Sequence, residues 1–494
     1  MAGAHKEGQM TQRASRAFDW SVEEWEMAGR RALDLAIAVS TDWEGRAPAP
    51  VASPEDVRRH FREPLPLAGV PFEEVIERLQ AAAELSTYIG HPRWLAYITS
   101  SPAPVGVLAD LVTSAVNPNL GLWRGGPAGT AIELQSIDWL KELLGYPIEA
   151  EGVYSSGGQF ANVIALGVMR DRMAGWDVRA AGTNAGPRLR LYVSEELHYC
   201  HQQAAELLGM GRDALRLVPT DDAYRMRLDD VREMIAADRA AGDRPIGVIA
   251  TAGTIGTGAV DPIPELRELT RAERLWLHVD GAYGAFAAIA PSAPPELSAM
   301  TEADSIACDP HKWLYAPIDS GVTLVREPGL LERSFAFHAA YLHHDRDADA
   351  RVDLAELSPE NSRRARGLKV WASLLAYGTD GYRNMIEENI RIAARLERLV
   401  EETEDLVLAA PRGLSIVCWR VEPPGMKGDV LEALQHRVIE ELERSGIAIV
   451  SNARLKAGVA AIRACVVNFR TGEEDVDAVV AASAEIGRKL AAET

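Results

Sequence analysis

Residues 275–289 read LWLHVDGAYGAFAAI and residues 305–325 read SIACDPHKWLYAPIDSGVTLV. Two short apolar runs, Trp276–Val279 and Ser305–Ala307, have the make-up of buried strands, and each leads into polar chemistry. The first meets it at His278 and Asp280, the second at Asp309, His311 and Lys312. In an open α/β sheet a ligand sits beyond the carboxyl ends of the strands, so both groups are expected to face one site. Pyridoxal phosphate (PLP) chemistry needs a lysine to form a Schiff base with the aldehyde and a carboxylate to pair with the pyridinium nitrogen. Taken alone, the Asp and Lys read better as a buried ion pair beside a core histidine. The flanking sequence bears on that choice.

On either side, apolar runs Leu189–Val193, Leu215–Val218, Ile246–Ala250 and Val322–Val325 alternate with helical patterns. That rhythm predicts an α/β fold with a mainly parallel sheet and helices on both faces. Three helices precede any strand, over Trp20–Val39, Pro54–Phe61 and Phe72–Leu85, and leave an apolar surface for the main domain or a second subunit to cover. Helices are also expected over Val105–Val116 and Thr130–Leu144, the latter closed by Gly145. A long helical region from Arg364 to about Glu404 leads into a C-terminal α+β module. Its strands are expected at Leu414–Val421, Ile447–Val450 and Ala460–Val467, and its helices at Asp429–Ser445 and Glu473–Leu490. The expected domains are therefore 1–104, an N-terminal helical arm, 105–375, the large domain, and 376–494, the small one.

With 494 residues, 47% hydrophobic and 25% charged, the chain has the composition of a globular protein with more than one domain. Its 72 acidic against 52 basic residues, a formal charge of −20, argue against nucleic acid or an anionic membrane as partner. Four scattered cysteines show no metal-binding spacing, and no metal is expected. The opening MAGAHKEGQMTQRAS lacks the apolar core of a signal peptide, and no later run is long enough to span a bilayer. A cytoplasmic location with reduced thiols is the expectation.

Chemistry-bearing loops follow the strands. Tyr154–Arg170, YSSGGQFANVIALGVMR, is a Gly-rich turn entering a helix, whose free N–H groups suit a phosphate dianion. It has neither the Walker lysine nor the dinucleotide fingerprint. Ser194–Leu208 offers His198 and His201, each of which taken singly reads as a surface or core histidine. Thr251 opens a glycine-rich loop, ATAGTIGTGAVDP, that reads equally as a plain turn.

A Gly-rich turn, a His, a Thr, an Asp and a Lys in this order, with HVDGAYG followed by DPHKW, strongly resemble the PLP-dependent group II amino acid decarboxylases. Within that family the chain resembles the bacterial aromatic L-amino acid decarboxylases. The resemblance runs from HPRWLAY (91–97) to IRACVVNFRTGEEDVDAVV (462–480). It implies PLP fold type I, the aspartate aminotransferase-like architecture, and a homodimer with exchanged N-terminal helices. It also implies roles: Lys312 holds PLP, Asp280 keeps the pyridine nitrogen protonated, Ala282 packs on the ring and His198 stacks on its other face. Thr251 and His278 would support the ring, and Gly158, Gln159 and His311 the phosphate. Asp309 also belongs to this set, with its carboxylate bonded to backbone or turned away. The chain departs from the family pattern at Gln159-Phe160, where Ser-Glu or its like is usual, and at Ala131-Ile132 and Ile89.

The same resemblance makes Tyr341, in AAYLHHD, the proton donor on a mobile loop; its relatives that make aldehydes carry Phe there. Trp94, Tyr97, Ile98, Leu122 and Trp123 would wall the substrate pocket, shared across the dimer. The implied reaction is decarboxylation of an aromatic L-amino acid. Arg93 and Arg124 keep an acidic substrate open, and an aromatic acetaldehyde synthase is a further alternative. A non-catalytic PLP-binding regulator is the reading from another class, but the acidic first 100 residues offer no basic helix-turn-helix.

Overall fold

The computed structural model describes residues 18–43, 45–50, 52–337 and 351–493. Its contacts form two compact units, Met1–His91 and Pro92–Thr494. The first contains helices Val22–Thr41, Pro54–Phe61 and Phe72–Glu84. Ser21 starts the first of them with a reciprocal cap: its hydroxyl accepts the Glu24 N–H at 3.2 Å, and the Glu24 carboxylate accepts the Ser21 N–H at 2.7 Å. Trp20 meets Phe72 edge-on, with ring centroids 5.5 Å apart, which joins the first and third helices. Val22, Trp25, Met27 and Ile37 remain exposed.

The second unit is built on a seven-stranded sheet. Its strands are β1 (Glu151–Ser155), β2 (Leu189–Ser194), β3 (Leu215–Val218), β4 (Arg244–Thr251), β5 (Trp276–Asp280), β6 (Ser305–Cys308) and β7 (Gly321–Val325). Their order is β1-β7-β6-β5-β4-β2-β3. Only β7 is antiparallel to its neighbours. The link from β6 to β7 holds just the one-turn helix Pro310–Trp313, too little for a crossover. Successive side chains alternate between two cores, as the strand period of two requires. Val153, Leu191 and Ile249 face helix Gly158–Met173, while Tyr154, Tyr192 and Val248 join the core that includes Ile137 and Leu140 of helix Pro127–Leu144.

A second, antiparallel sheet follows: β8 (Leu406–Leu408), β9 (Ile416–Val421), β10 (Ser451–Arg454) and β11 (Ala460–Cys465), in the order β10-β11-β9-β8. Helices Gly428–Arg444 and Glu473–Ala492 share its core. No helix among the described residues is long and apolar enough to cross a membrane.

The six strands expected in the large sheet all form, longer by at most two residues at either end. β1 and β8 were not expected. In β1, Gly152 weakens the strand pattern, yet a Cβ there would lie 2.8 Å from both Ile137 and Leu324, so close packing requires the glycine. The strand expected at Ile447–Val450 begins instead at Ser451. The apolar run is buried, but it pairs with the 93–95 segment through Ile449 N–H to Arg93 C=O and Leu95 N–H to Ile449 C=O, rather than with β11. The long helix Gly367–Glu402 is broken at Gly378, whose φ of 64° and ψ of 172° are not helical.

Candidate active site

The parallel strands deliver their carboxyl ends to one place. Thr251, the last residue of β4, is in register with Asp280, the last of β5, and Asp280 with Ala307 of β6. Lys312 lies just beyond β6 in the helix Pro310–Trp313. From the other side, the turn after β1 approaches so closely that only glycine fits. A Cβ on Gly157 (φ 149°) would lie 2.9 Å from the His311 ring, and one on Gly158 would lie 2.7 Å from the Asp309 carboxylate and 2.8 Å from Ala282. Between them opens a cavity of about 770 Å³ lined by Gly158, Gln159, His198, Thr251, Asp280 and Ala282, with Asp309, His311 and Lys312 on its floor.

The Lys312 ammonium is 3.1 Å from Asp309 Oδ2. Burial lowers its pKa, but Asp309 and then Asp280 outweigh that and raise it above the usual lysine value. Asp280 accepts the Ala282 N–H on Oδ1 at 3.1 Å and lies 2.9 Å from His201 Nε2 through Oδ2. Burial pushes the Asp280 carboxyl up, yet its hydrogen bond to His201, with Lys312 nearby, holds it well below the usual carboxylate range. His198 is half-buried, and burial depresses its pKa, so it presents a neutral ring to the cavity. His311 Nδ1 accepts the Ser320 N–H at 3.0 Å.

Four placements differ from the sequence expectation. His278 is fully buried and does not line the cavity. Its Nε2 is 2.7 Å from Asn162 Oδ1 and its Nδ1 is 2.8 Å from Ser305 Oγ, while Asn162 Nδ2 donates to the Gly158 carbonyl and Trp276 Nε1 donates to Ser305. This donor–acceptor order fixes a neutral ring with hydrogen on Nε2. Burial lowers its pKa to about 3. His278 therefore supports the Gly158 turn through Asn162, from beneath the sheet end. Trp94 is core, with its indole N–H on Thr99, and does not line the cavity, where Tyr97 and Ile98 do. Gln159 reaches the rim but gives its amide to Gln203 at 2.7 Å. Asp309 finds Lys312 rather than backbone, and its Oδ1 has no hydrogen-bond partner among the described residues. Tyr341 lies outside the described residues. Sequence reasoning missed Asn162 and left His201 without a role; His201 is placed by its i, i+3 spacing from His198.

This set fits PLP. The Gly157–Gly158 turn opens a helix whose first N–H groups have no intrahelical partner, an anion site by geometry and dipole. Thr251 Oγ is buried on the cavity wall without a hydrogen-bond partner among the described residues. A primary amine and an ionised carboxylate stand on the same floor. Residues 54–422 match the family described as pyridoxal-dependent decarboxylase conserved domain. The aromatic-L-amino-acid decarboxylase of Bacillus atrophaeus is 32% identical over 459 residues, 92% of this chain and 94% of that protein. The acidic amino acid decarboxylase GADL1 of Xenopus tropicalis is 27% identical over 432 residues, 85% of this chain and 84% of that one. The crystal structure of Oryza sativa TDC with PLP and tryptamine superposes with a TM-score of 0.89 at 25% identity, covering 96% of this chain and 99% of that chain. The mainly parallel sheet with helices on both faces is accordingly the fold type I α/β architecture. Motif, fold and site agree, and the chain belongs to the pyridoxal-dependent decarboxylases: it is an amino acid decarboxylase, a carboxy-lyase that works with PLP.

Proposed function

We propose that the enzyme converts an aromatic L-amino acid, among tryptophan, tyrosine, DOPA and phenylalanine, to its amine and CO₂. The observation that carries this is the cavity lining, where Tyr97, Ile98, Phe160, Tyr199 and Ile255 offer apolar and ring surface. The basic side chains among the described lining residues are Lys312, His198 and His311. Burial lowers the pKa of both histidines, so neither serves as a fixed cation for a side-chain carboxylate. Of the two alternative anchors for an acidic substrate, Arg93 faces Asp475 at 3.6 Å, and neither it nor Arg124 is among the cavity's described lining residues.

When bound, PLP supplies an electrophilic ring that accepts the electron pair of the breaking Cα–carboxyl bond. The chain's own residues do the rest. Lys312 would hold the aldehyde carbon. Asp280, ionised and held by two hydrogen bonds, would pair with the ring nitrogen and keep its proton in place. Of the residues lining the cavity, His198 and Ala282 would flank the ring, Thr251 would support a ring substituent, and the Gly157–Gly158 turn with His311 would hold the phosphate. As CO₂ leaves, Cα takes one proton in its place, and Tyr341 is its donor. Leu122 and Trp123 reach the substrate in a homodimer, where each would enter the other subunit's site. The exposed apolar stripe Leu108, Leu111, Val112 and Val116 on helix Pro104–Val116 supports that assembly.

Incubating the PLP-loaded enzyme with the four aromatic amino acids, glutamate, aspartate and 2,4-diaminobutyrate tests this, with amine, aldehyde and CO₂ all measured. Amine and CO₂ in equal amounts from an aromatic substrate are expected, abolished in Lys312→Ala and strongly reduced in Tyr341→Phe. Turnover confined to the acidic or diamino substrates would overturn the aromatic assignment. Aldehyde with ammonia and peroxide as main products would overturn simple decarboxylation.

A further inference from the structure

Beyond its bond to Asp280, His201 has no role in the reading above, yet that bond is the shorter of the two to the Asp280 carboxylate. It stands in the first turn of helix Cys200–Leu207, three residues after His198, and is fully buried. Its Nε2 lies 2.9 Å from Asp280 Oδ2. An ionised carboxylate can only accept, so Nε2 carries a hydrogen and donates it to Asp280. Nδ1 is buried and has no hydrogen-bond partner among the described residues. A buried polar ring atom without a partner carries a desolvation cost that an apolar side chain at the same position avoids. A histidine kept there at that cost needs a compensating gain, and its one side-chain hydrogen bond goes to Asp280.

The two Asp280 oxygens are occupied on different sides. Oδ1 accepts the Ala282 N–H and Oδ2 the His201 N–H, which fixes the plane of the carboxylate. A carboxylate has about four lone-pair positions, so others stay free on the cavity side, where Asp280 contributes to the lining. The backbone contact alone leaves rotation about the Cβ–Cγ bond only partly restrained. With His201 also in place, both oxygens are pinned.

We infer that His201 is a positioning residue for the cofactor: it orients the Asp280 carboxylate toward the ring nitrogen of PLP and so sets how strongly that nitrogen is held. The inference rests on the placement of Asp280 against the ring nitrogen. Because His198 and His201 share one helical turn, the ring-stacking group and the residue behind Asp280 are set by the same piece of backbone.

The test compares binding of PLP and of its analogue with CH in place of the ring nitrogen to the apoprotein, read by quenching of tryptophan fluorescence. The wild type should bind PLP more tightly than the analogue. In His201→Met that preference should shrink about tenfold, the size of one hydrogen bond to a charged group, while analogue affinity stays as in the wild type. His201→Asn, too short to reach Asp280, carries the same test should the methionine variant not fold. His201→Gln, whose amide can still donate, should recover most of the preference. An unchanged preference in the folded Met or Asn variant, or an equal weakening of PLP and analogue, would show a merely structural histidine and overturn the inference. A wild type with no preference would instead overturn the placement of Asp280 itself.

Discussion

Arg363→Met should be among the most damaging single changes outside the active site. Arg363 and Glu133 are both fully buried, with Arg363 Nη2 donating to Glu133 Oε1 at 2.7 Å and to the Tyr154 carbonyl at 2.8 Å. Burial pushes the Glu133 carboxyl up, and Arg363 is the chief group that opposes it. Removing the guanidinium leaves a dry carboxylate without a counter-ion and strips a donor from β1 just before the Gly157–Gly158 turn. Breaking one partner of such a pair costs about 3–5 kcal/mol, whereas replacing both with apolar residues is near neutral. That is a large share of the 5–15 kcal/mol that typically holds a protein folded. Urea unfolding should therefore show Arg363→Met destabilised by about 3–5 kcal/mol and Arg363→Met/Glu133→Leu recovering most of the loss. Far- and near-ultraviolet circular dichroism should be followed together, since a chain with two sheets need not unfold in one step. A loss below about 1 kcal/mol, the worth of a surface pair such as Arg59–Glu55, would refute the burial argument.

Gly158→Ala places a methyl 2.7 Å from Asp309 and 2.8 Å from Ala282, so PLP binding to the apoprotein should weaken by at least about tenfold with a stability loss of about 1–3 kcal/mol; unchanged affinity would show that the turn does not meet the phosphate. His278 has a folded pKa of about 3 against an ordinary 6.5, so between those values the unfolded chain binds more protons. Its contribution is complete above about pH 6.5 and is lost as pH falls through that window, by at most about 1.4 kcal/mol per pH unit. Urea midpoints of the wild type should accordingly fall more steeply between pH 6 and pH 5 than those of His278→Gln, and parallel slopes would refute the neutral, buried ring.

Much of this protein was legible because its signals are local. Apolar runs of three to five residues located six strands of the large sheet, since burial on both faces forces near-continuous hydrophobicity in parallel strands. The Gly-rich turn, His198, Thr251, Asp280 and Lys312 each follow a strand, and the strand ends bring them to one cavity. Helix and strand periods also separated the antiparallel C-terminal sheet from the first. What the sequence alone could not determine was pairing between distant side chains. His201 meets Asp280 across 79 residues, Asn162 meets His278 across 116, and Arg363 meets Glu133 across 230. Each such contact depends on sheet register and on how a helix rotates against the sheet, which no local pattern encodes. Tertiary packing thus placed His278 outside the cavity lining, withdrew Trp94 into the core, gave Lys312 to Asp309, and put His201 against the Asp280 carboxylate.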